Sequence, residues 1–432
     1  MPTKVFSLEV LRACHGDCLL LHYGTRTKPG LALIDGGPEN VYEPFLRARL
    51  EELRSGRGLS DDDELPVDLL MLSHIDEDHV FGLLELTREL IAAEDRQKPK
   101  IVQFFDLWHN TFDDLIDNDA DELIGAVEQT FGPASVSGNL TADSLAELGD
   151  SDIPAVVDTV MVIASIPQGR ELRSNCEKLS VERNVEFDGK LLVAQANSRP
   201  IDMGKGLTLT LVGPMLPDVK KLQTEHRAWL KKHPEVVERA TASVLAEYSD
   251  NSKPNLASIV VLAEVDGKTM LLTGDARGDK ILKGLELVGL VPEGGSIGVD
   301  VLKCPHHGSS RNVELDFFQR IIADHYVFSG NGVFGNPERA TLELLAGARG
   351  DDDYTIHLTY PVDEVDVARK ADWESLRANE LEKRRTNPAQ NVRPKWSQAK
   401  HSLAAFLAAN PDVNDRVVIV EEGVPHTIDL LG

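Results

Sequence analysis

The sequence feature that most restricts the fold of this chain is the hexapeptide at residues 74–79, His-Ile-Asp-Glu-Asp-His. It follows the apolar run 67–72, which predicts a buried strand, and precedes the run 80–84, which predicts the start of a helix. Side chains at the carboxyl end of a strand, ahead of a helix, can converge on one point above a sheet. Imidazole nitrogen combined with carboxylate oxygen suits Zn²⁺ or Mn²⁺, whereas Ca²⁺ and Mg²⁺ prefer oxygen alone. The hexapeptide therefore predicts a metal site; the alternative is a solvated acidic turn.

The same arrangement of a polar residue after an apolar strand recurs at Asp35, at Asp275 and at the pair His306-His307. These positions fall in two successive β-rich halves, each of which also has helical segments. The pattern predicts an α/β protein with a two-sheet core and helices outside it. Folding could then bring all of these strand ends to one edge of the core.

The charge balance limits the classes of partner. The 432 residues include 71 acids against 45 Lys and Arg, a formal charge of -26 at pH 7. This argues against a general nucleic-acid coat and against binding to anionic membranes, but it does not exclude a local basic groove. The first residues do not resemble a signal peptide, and no apolar stretch reaches the length of about 18 residues needed to span a bilayer. We expect a cytoplasmic protein with no membrane partner.

The order of these motifs resembles the metallo-β-lactamase fold superfamily. The segments that most resemble its ComEC-type branch are Ile-Asp-Gly-Gly at 34–37, Leu-Ser-His-Ile-Asp-Glu-Asp-His at 72–79, Leu-Leu-Thr-Gly-Asp-Ala at 271–276 and Leu-Lys-Cys-Pro-His-His-Gly-Ser at 302–309. That branch includes the hydrolase domain of competence DNA-uptake nucleases and choline-phosphate esterases. The resemblance covers residues 5–345 and implies a four-layer αββα sandwich of two mixed β-sheets with flanking helices. We expect a hydrolase core at 1–360 and a C-terminal helical extension at 361–432, whose terminal strands pack on the core.

The resemblance also implies a site for two divalent ions, Zn²⁺ or Mn²⁺. Its expected ligands are His74 and Asp76 for the first ion, Asp78 and His79 for the second, Asp275 between the two, and one of His306 and His307 to complete the second.

Adjacent residues on an extended backbone point to opposite sides, so His306 and His307 cannot easily hold one ion together. We expect His307 as the ligand and His306 as a contact to a substrate phosphate or a partner in proton transfer. Asp78 and His306 are thus the expected catalytic residues. Asp35 and Asp17, the latter in an early His-Gly-Asp turn, would orient the ligands from behind.

The chain departs from the family at two positions. Many relatives have a further His between the hexapeptide and the bridging Asp, and His109 is the candidate here, with a surface histidine as the alternative. Relatives often have His-Pro where this chain has Asn336-Pro337, and Asn336 could hydrogen-bond a phosphoryl oxygen. The loop 308–312 is expected to enter a helix, so that Ser309 and Arg311 could hold a phosphate.

The extension contains a basic island, Lys383, Arg384, Arg385, Arg393, Lys395 and Lys400 around Trp396, which could contact nucleic acid through charge and stacking. A solvated helix end is the alternative.

The leading hypothesis is a metal-dependent phosphodiesterase, most specifically a nuclease that uses a metal-bound hydroxide and acts on DNA in preference to RNA. By analogy it would be an effector of a bacterial antiviral defence system with a partner protein, or a homo-oligomer. The alternatives are a hydrolase of a small phosphoester, cyclic nucleotide or lactone, and a non-catalytic scaffold with a degenerate metal site.

Overall fold

The computed structural model describes residues 3–111, 167–221, 224, 258–386 and 388–432. Within these ranges the chain forms two mixed β-sheets that pack face to face, with helices on their outer faces. This arrangement is the predicted αββα sandwich. The sequence pattern predicts helices within 111–150 and in much of 217–248, and the apolar run 156–164 predicts a strand. Residues 217–221 are helical as predicted, while 112–166, 222–223 and 225–257 lie outside the described residues.

The first sheet has seven strands. In spatial order they are β17 (His426–Asp429), β1 (Lys4–Val10), β2 (Leu19–Thr25), β3 (Lys28–Ile34), β5 (Leu69–Met71), β7 (Asp106–Trp108) and β8 (Glu182–Arg183). Neighbours are antiparallel from β17 to β3 and parallel from β3 to β8. A separate pair, β4 (Leu65–Val67) and β6 (Val102–Phe104), lies beside this sheet.

The second sheet has eight strands and repeats the same change of direction. In spatial order they are β16 (Val417–Ile419), β15 (Thr355–Leu358), β14 (Ile321–Phe328), β13 (Ile297–Lys303), β12 (Lys268–Leu272), β11 (Val260–Val265), β10 (Thr208–Gly213) and β9 (Ile201–Asp202). Strands β9 to β12 are antiparallel and β12 to β16 are parallel. The tight turn between β11 and β12 falls at Asp266-Gly267, where both residues have positive φ, as an Asp-Gly hairpin requires.

Helices cover both outer faces. The labelled helices are α1 (Ala48–Gly56), α2 (Glu77–Asp95), α3 (Gly278–Leu287), α4 (Leu315–Arg320), α5 (Arg339–Arg349), α6 (Val362–Thr386), α7 (Gln398–His401), α8 (Leu403–Ala409) and α9 (Pro411–Asn414). A π-helical turn at Tyr42–Arg47 precedes α1, and residues 167–178 are also helical. Among the described residues no helix is both long enough and apolar enough to cross a membrane.

Three apolar cores correspond to the three interfaces between the four layers. One core lies between the sheets and includes Phe6 and Trp108 from the first sheet and Val301 from the second, all fully buried. A second lies between the first sheet and α2, and a third between the second sheet and its helices. The two sheets thus share one apolar interface, which fixes their strand ends relative to each other.

Two predicted strands are each divided in the structure. The strand predicted at 67–72 breaks at Asp68, whose carboxylate accepts hydrogen bonds from Tyr23 Oη at 2.8 Å and from Lys205 Nζ at 2.8 Å. The apolar run 101–108 likewise predicts one strand, which breaks at Phe105, a residue that is 51% exposed. In both cases the first piece joins the β4–β6 pair and the second piece joins the first sheet.

The terminal strands of the predicted extension are hydrogen-bonded into the core. β17 pairs with β1 at the edge of the first sheet, and β16 pairs with β15 at the edge of the second. The last part of the chain therefore completes both sheets.

Candidate metal centre

The predicted site residues come together because the ends of five strands meet at one edge of the sandwich. Asp35 follows β3, the hexapeptide follows β5, Asp275 follows β12, His306 and His307 follow β13, and Ser329 follows β14. Ile259, just before β11 of the second sheet, donates its N–H to Ser73 O of the first sheet at 2.8 Å, and within the second sheet His306 N donates to Gly274 O at 3.2 Å.

Close packing of glycines lets the hexapeptide approach the Asp35 loop. Gly36 lies directly against Gly82 of α2, and a Cβ atom built on Gly36 would lie 2.4 Å from Leu83 N. Gly36 N also donates to His79 O at 2.7 Å. Side chains at these two positions would therefore push α2 and its ligands away from the sheet edge.

Asp275 is the centre of the cluster. Its Oδ1 lies 3.4 Å from His79 Nε2, and its Oδ2 lies 3.7 Å from His74 Nε2 and 3.5 Å from His307 Nε2. Asp78 Oδ2 lies 3.1 Å from His307 Nε2. In a tetrahedral site with metal–ligand bonds of about 2.1 Å, two ligand atoms are separated by roughly 3.4 Å, so these spacings suit shared coordination.

Asp76 extends the cluster on the His74 side, since its Oδ2 lies 3.5 Å from His74 Nε2. Asp275 therefore lies between a group that contains His74 and Asp76 and a group that contains His79, Asp78 and His307. Potential ligand atoms of His74, Asp78 and His79 all lie within 4.8 Å of one another.

The predicted extended backbone at His306 and His307 is wrong. Both residues have left-handed φ values, 48° and 53°, within a short 3₁₀ turn at Pro305–Gly308. As a result both rings face the same carboxylate: His306 Nε2 lies 3.6 Å and His307 Nε2 lies 3.5 Å from Asp275 Oδ2. His307 is buried and His306 is 31% exposed, so His306 borders the solvent side of the cluster.

A hydroxyl and a carboxylate behind the cluster orient two of the rings. Ser73 Oγ donates to Asp35 Oδ2 at 2.7 Å and lies 3.1 Å from His74 Nδ1. Asp35 Oδ2 also lies 2.8 Å from His79 Nδ1. Because these oxygens accept the proton of each Nδ1, the Nε2 lone pairs of His74 and His79 face the cluster, as metal ligation requires.

A second set of residues orients His307 and His306. Ser329 Oγ donates to Asp17 Oδ1 and lies 3.1 Å from His307 Nδ1. Asn312 Oδ1 lies 3.0 Å from His306 Nδ1, while Asn312 Nδ2 donates to Asp275 O at 3.3 Å. Asp17 and Asp35 thus occupy positions behind the rings, where the resemblance places them.

Lys303 forms a buried ion pair with Asp17 next to the cluster. Both side chains are 1% exposed, and Lys303 Nζ lies 3.8 Å from Asp275 Oδ1. Burial raises the pKa of Asp17, but the Lys303 ammonium together with His307 and His79 outweighs burial and holds that pKa well below its usual range. The sequence analysis did not identify Lys303, Ser73 or Ser329 as site residues. Their position beside a predicted ligand or at a strand end was the feature that could have indicated them.

The donor set fits divalent ions. His74 Nε2, His79 Nε2 and Asp275 Oδ1 are buried and accept no hydrogen bond within the structure, which is costly unless a ligand satisfies them. Burial lowers the pKa of His79 and of His307, but the surrounding carboxylates together, Asp275 first among them, outweigh burial and raise both pKa values above the usual range. The cluster therefore favours positive charge, supplied either by protons or by metal ions, and its nitrogen and carboxylate donors suit Zn²⁺ or Mn²⁺.

The other predicted site residues have mixed positions. His109 is fully buried, which contradicts the surface alternative, and its N–H donates to Asn184 Oδ1 at 2.9 Å. Asn336 Nδ2 donates to His306 O at 3.4 Å, so Asn336 lies on the rim of the cluster. The loop with Ser309 and Arg311 does not enter a helix as predicted, because α4 begins only at Leu315, where no side chain caps it.

The basic island lies at the end of α6 and in the segment after it. Arg384, Arg385 and Lys395 are exposed, and Arg385 pairs with Glu382 at 2.7 Å. Trp396 packs against other side chains, with ring centroids 6.1 Å from Trp373 and 5.2 Å from His401. This packing attaches the segment to α6; a role for the island in binding nucleic acid stays a prediction.

Comparison with known proteins supports the fold. Residues 12–150 match the sequence model of the Metallo-beta-lactamase superfamily, a range that includes Asp17, Asp35 and the hexapeptide. This part of the chain is therefore similar to that superfamily, and the mixed sheets with flanking helices are consistent with the metallo-β-lactamase fold.

Among curated proteins, a short stretch is similar to Microtubule-associated protein 1A. Identity is 34% over 79 residues for the Homo sapiens protein and 34% over 83 residues for the Rattus norvegicus protein. In both cases the stretch is 18% of this chain, and the chain spans about 3% of the length of these relatives.

Proposed function

We propose that this chain is a metal-dependent phosphodiesterase of the ComEC-like branch, and that it cleaves nucleic acid, DNA in preference to RNA. The observation that carries the proposal is the buried set of inward-facing donor atoms around Asp275, with Nδ1 of His74, His79 and His307 each within 3.1 Å of an oxygen behind the ring. Such a set costs stability unless cations occupy it. Two divalent ions held there would supply a nucleophile at neutral pH and would stabilise negative charge on a phosphoryl group.

The donor set supports a phosphorus substrate. His74, His79 and His307 share the site with Asp76, Asp78 and Asp275, so carboxylates make up much of the donor set. Oxygen donors favour harder ions, which prefer phosphate oxygens.

The protein's own residues would then position the substrate. His306 is partly exposed beside Asp275, and its Nδ1 lies 3.0 Å from Asn312 Oδ1, so its Nε2 can accept a proton or contact a phosphoryl oxygen. Asn336 lies next to the His306 carbonyl group and can donate to a phosphoryl oxygen on the same side. These two side chains mark the side from which the substrate approaches.

The net charge of -26 supports a second candidate function, hydrolysis of a small phosphoester, cyclic nucleotide or lactone. A strongly acidic surface repels a polyanion, whereas a small substrate needs only the site itself. The exposed basic residues at the end of α6 favour nucleic acid instead.

The test is cleavage of plasmid and single-stranded DNA by the purified chain with Mn²⁺ or Zn²⁺. We expect cleavage by the wild type and none by a double variant with Asp78→Ala and His79→Ala, together with loss of bound metal in that variant. Asp62→Ala removes an exposed carboxylate in a loop and serves as the matched control, with activity and metal content unchanged. Circular dichroism shows whether each variant folds, and Asp78→Asn provides a milder change if the double variant does not.

Equal cleavage by the wild type and the double variant would identify a contaminant and reject the nuclease proposal. Hydrolysis of small phosphodiesters without DNA cleavage would favour the second candidate.

A further inference from the structure

Phe334 presents an aromatic ring to solvent on the rim of the metal centre. Its side chain is 68% exposed, and it lies in the loop that joins β14 to α5. A single exposed hydrophobic residue needs no explanation by itself. The conformation and the position of Phe334 are what distinguish it.

The backbone of Phe334 is strained. Its φ is 59° and its ψ is 15°, a left-handed conformation that bulky side chains rarely adopt. Glycines would adopt it freely, and the loop has them nearby at Gly332 and Gly335, both with positive φ. The chain thus has a phenylalanine at a position where glycine would be easier to accommodate.

The surrounding structure holds this conformation in place. Gly332 N donates to Asn336 O at 2.9 Å, which closes the loop. Arg369 of α6, itself buried, donates from Nε to Gly335 O at 2.9 Å and from Nη1 to His401 O at 2.7 Å. The ring of Phe334 is therefore carried on a rigid support.

The ring also lies next to the metal centre. It meets His15 edge to face, with ring centroids 5.0 Å apart and planes at 85°. His15 precedes Gly16, which packs so closely on the hexapeptide that a Cβ there would lie 1.8 Å from Asp78 O. On the other side, Asn336 of the same loop contacts His306. Phe334 and His15 thus line the rim between two predicted catalytic residues.

We propose that Phe334, supported by His15, is a stacking platform for a nucleobase next to the scissile phosphate of a single-stranded nucleic acid. The inference rests on the proposed function and adds how the substrate is held. Stacking on an exposed aromatic ring is tolerant of base identity, because every base has a π-face. A ring that is already ordered loses little conformational freedom when a base binds. This advantage accounts for the rigid loop that carries Phe334.

The test compares a single-stranded oligothymidylate with an oligonucleotide of the same length whose bases are replaced by abasic tetrahydrofuran units. We expect Phe334→Ala to raise KM for the oligothymidylate by about 5- to 150-fold, the range given by one base–aromatic contact, and to change kcat little. The same variant should leave KM for the abasic strand unchanged, and Phe334→Trp should restore KM for the oligothymidylate.

Val367→Ala is the matched control, because Val367 is 71% exposed on α6 but carries no ring. It should change neither substrate's KM. Phe334→Gly distinguishes binding from a structural role. Because glycine relieves the backbone strain, the urea midpoint should stay equal or rise, while KM for the oligothymidylate still rises.

The stacking role would be overturned if Phe334→Ala raised KM equally for both strands or for neither. A lower urea midpoint for Phe334→Gly would overturn it as well. Each of these outcomes would leave the proposed nuclease intact. Absence of cleavage of both strands by the wild type with either metal would instead reject the proposed function, and the stacking role with it. The wild-type measurement therefore separates the two failures before any variant is made.

Discussion

Replacing Lys303 by Met should show how strongly the buried Lys303–Asp17 pair stabilises the centre. Both side chains are 1% exposed, so Lys303→Met leaves the Asp17 carboxylate charged and buried, with a carboxylate oxygen of Asp275 within 4.8 Å. Breaking a buried pair in this way costs about 3–5 kcal/mol in the free energy of unfolding. Asp17→Asn should cost less, because Lys303 keeps Asp275 Oδ1 at 3.8 Å as a partial partner.

Combining the two substitutions removes both charges at once. We expect the double variant to lose less stability than the sum of the single variants, by at least about 1.5 kcal/mol, because no unpaired charge then stays buried. Urea denaturation followed by tryptophan fluorescence measures this, with a chelator present so that bound metal does not contribute to stability.

Lys268→Met is the matched control for these variants. Lys268 pairs with Asp300 at 2.6 Å, but its side chain is 42% exposed, so solvent weakens the pair and the loss should be much smaller than in Lys303→Met. Additive losses in the double variant, or a loss in Lys303→Met no larger than in Lys268→Met, would refute the reasoning.

Two further predictions concern metal affinity and pH. Ser73→Ala removes the hydroxyl between Asp35 and His74, so metal affinity should fall about 10- to 100-fold in competition with a chromophoric chelator; unchanged affinity would show that the hydroxyl does not orient the ring. Burial lowers the pKa of His357 to about 3. Between pH 3 and about 6.5 the unfolded chain therefore binds one proton more than the folded chain, so the free energy of unfolding falls as pH falls. His357→Gln should reduce the loss between pH 6 and pH 5 by up to about 1.4 kcal/mol, measured by urea denaturation at both values; equal slopes would contradict it.

The sequence predicted the parts of the site that depend on local order. The hexapeptide places its ligands within one strand-to-helix connection, and Asp275 follows a hairpin with a clear turn signal, so apolar patterning was sufficient to locate both. Since parallel strands end at the same sheet edge, the convergence of Asp35 with these groups also followed from the predicted strands.

The parts that were missed depend on backbone conformation or on contacts distant in sequence. The left-handed turn at His306 and His307 has no signal beyond Pro305 and Gly308 on either side, and it reverses the expected direction of one ring. Lys303 ends a buried apolar strand, where its residue type gives no indication that Asp17, at the other end of the chain, neutralises it.

The positions of β16 and β17 have a consequence for truncated forms of the chain. These strands are distant in sequence from much of the sandwich, yet each covers the outer strand of one sheet. A chain truncated before residue 417 would lack both strands. One edge of β1 and one edge of β15 would then expose unpaired backbone N–H and C=O groups. Such uncovered edges recruit other strands, so an incomplete copy should associate with itself instead of persisting as a weakened monomer.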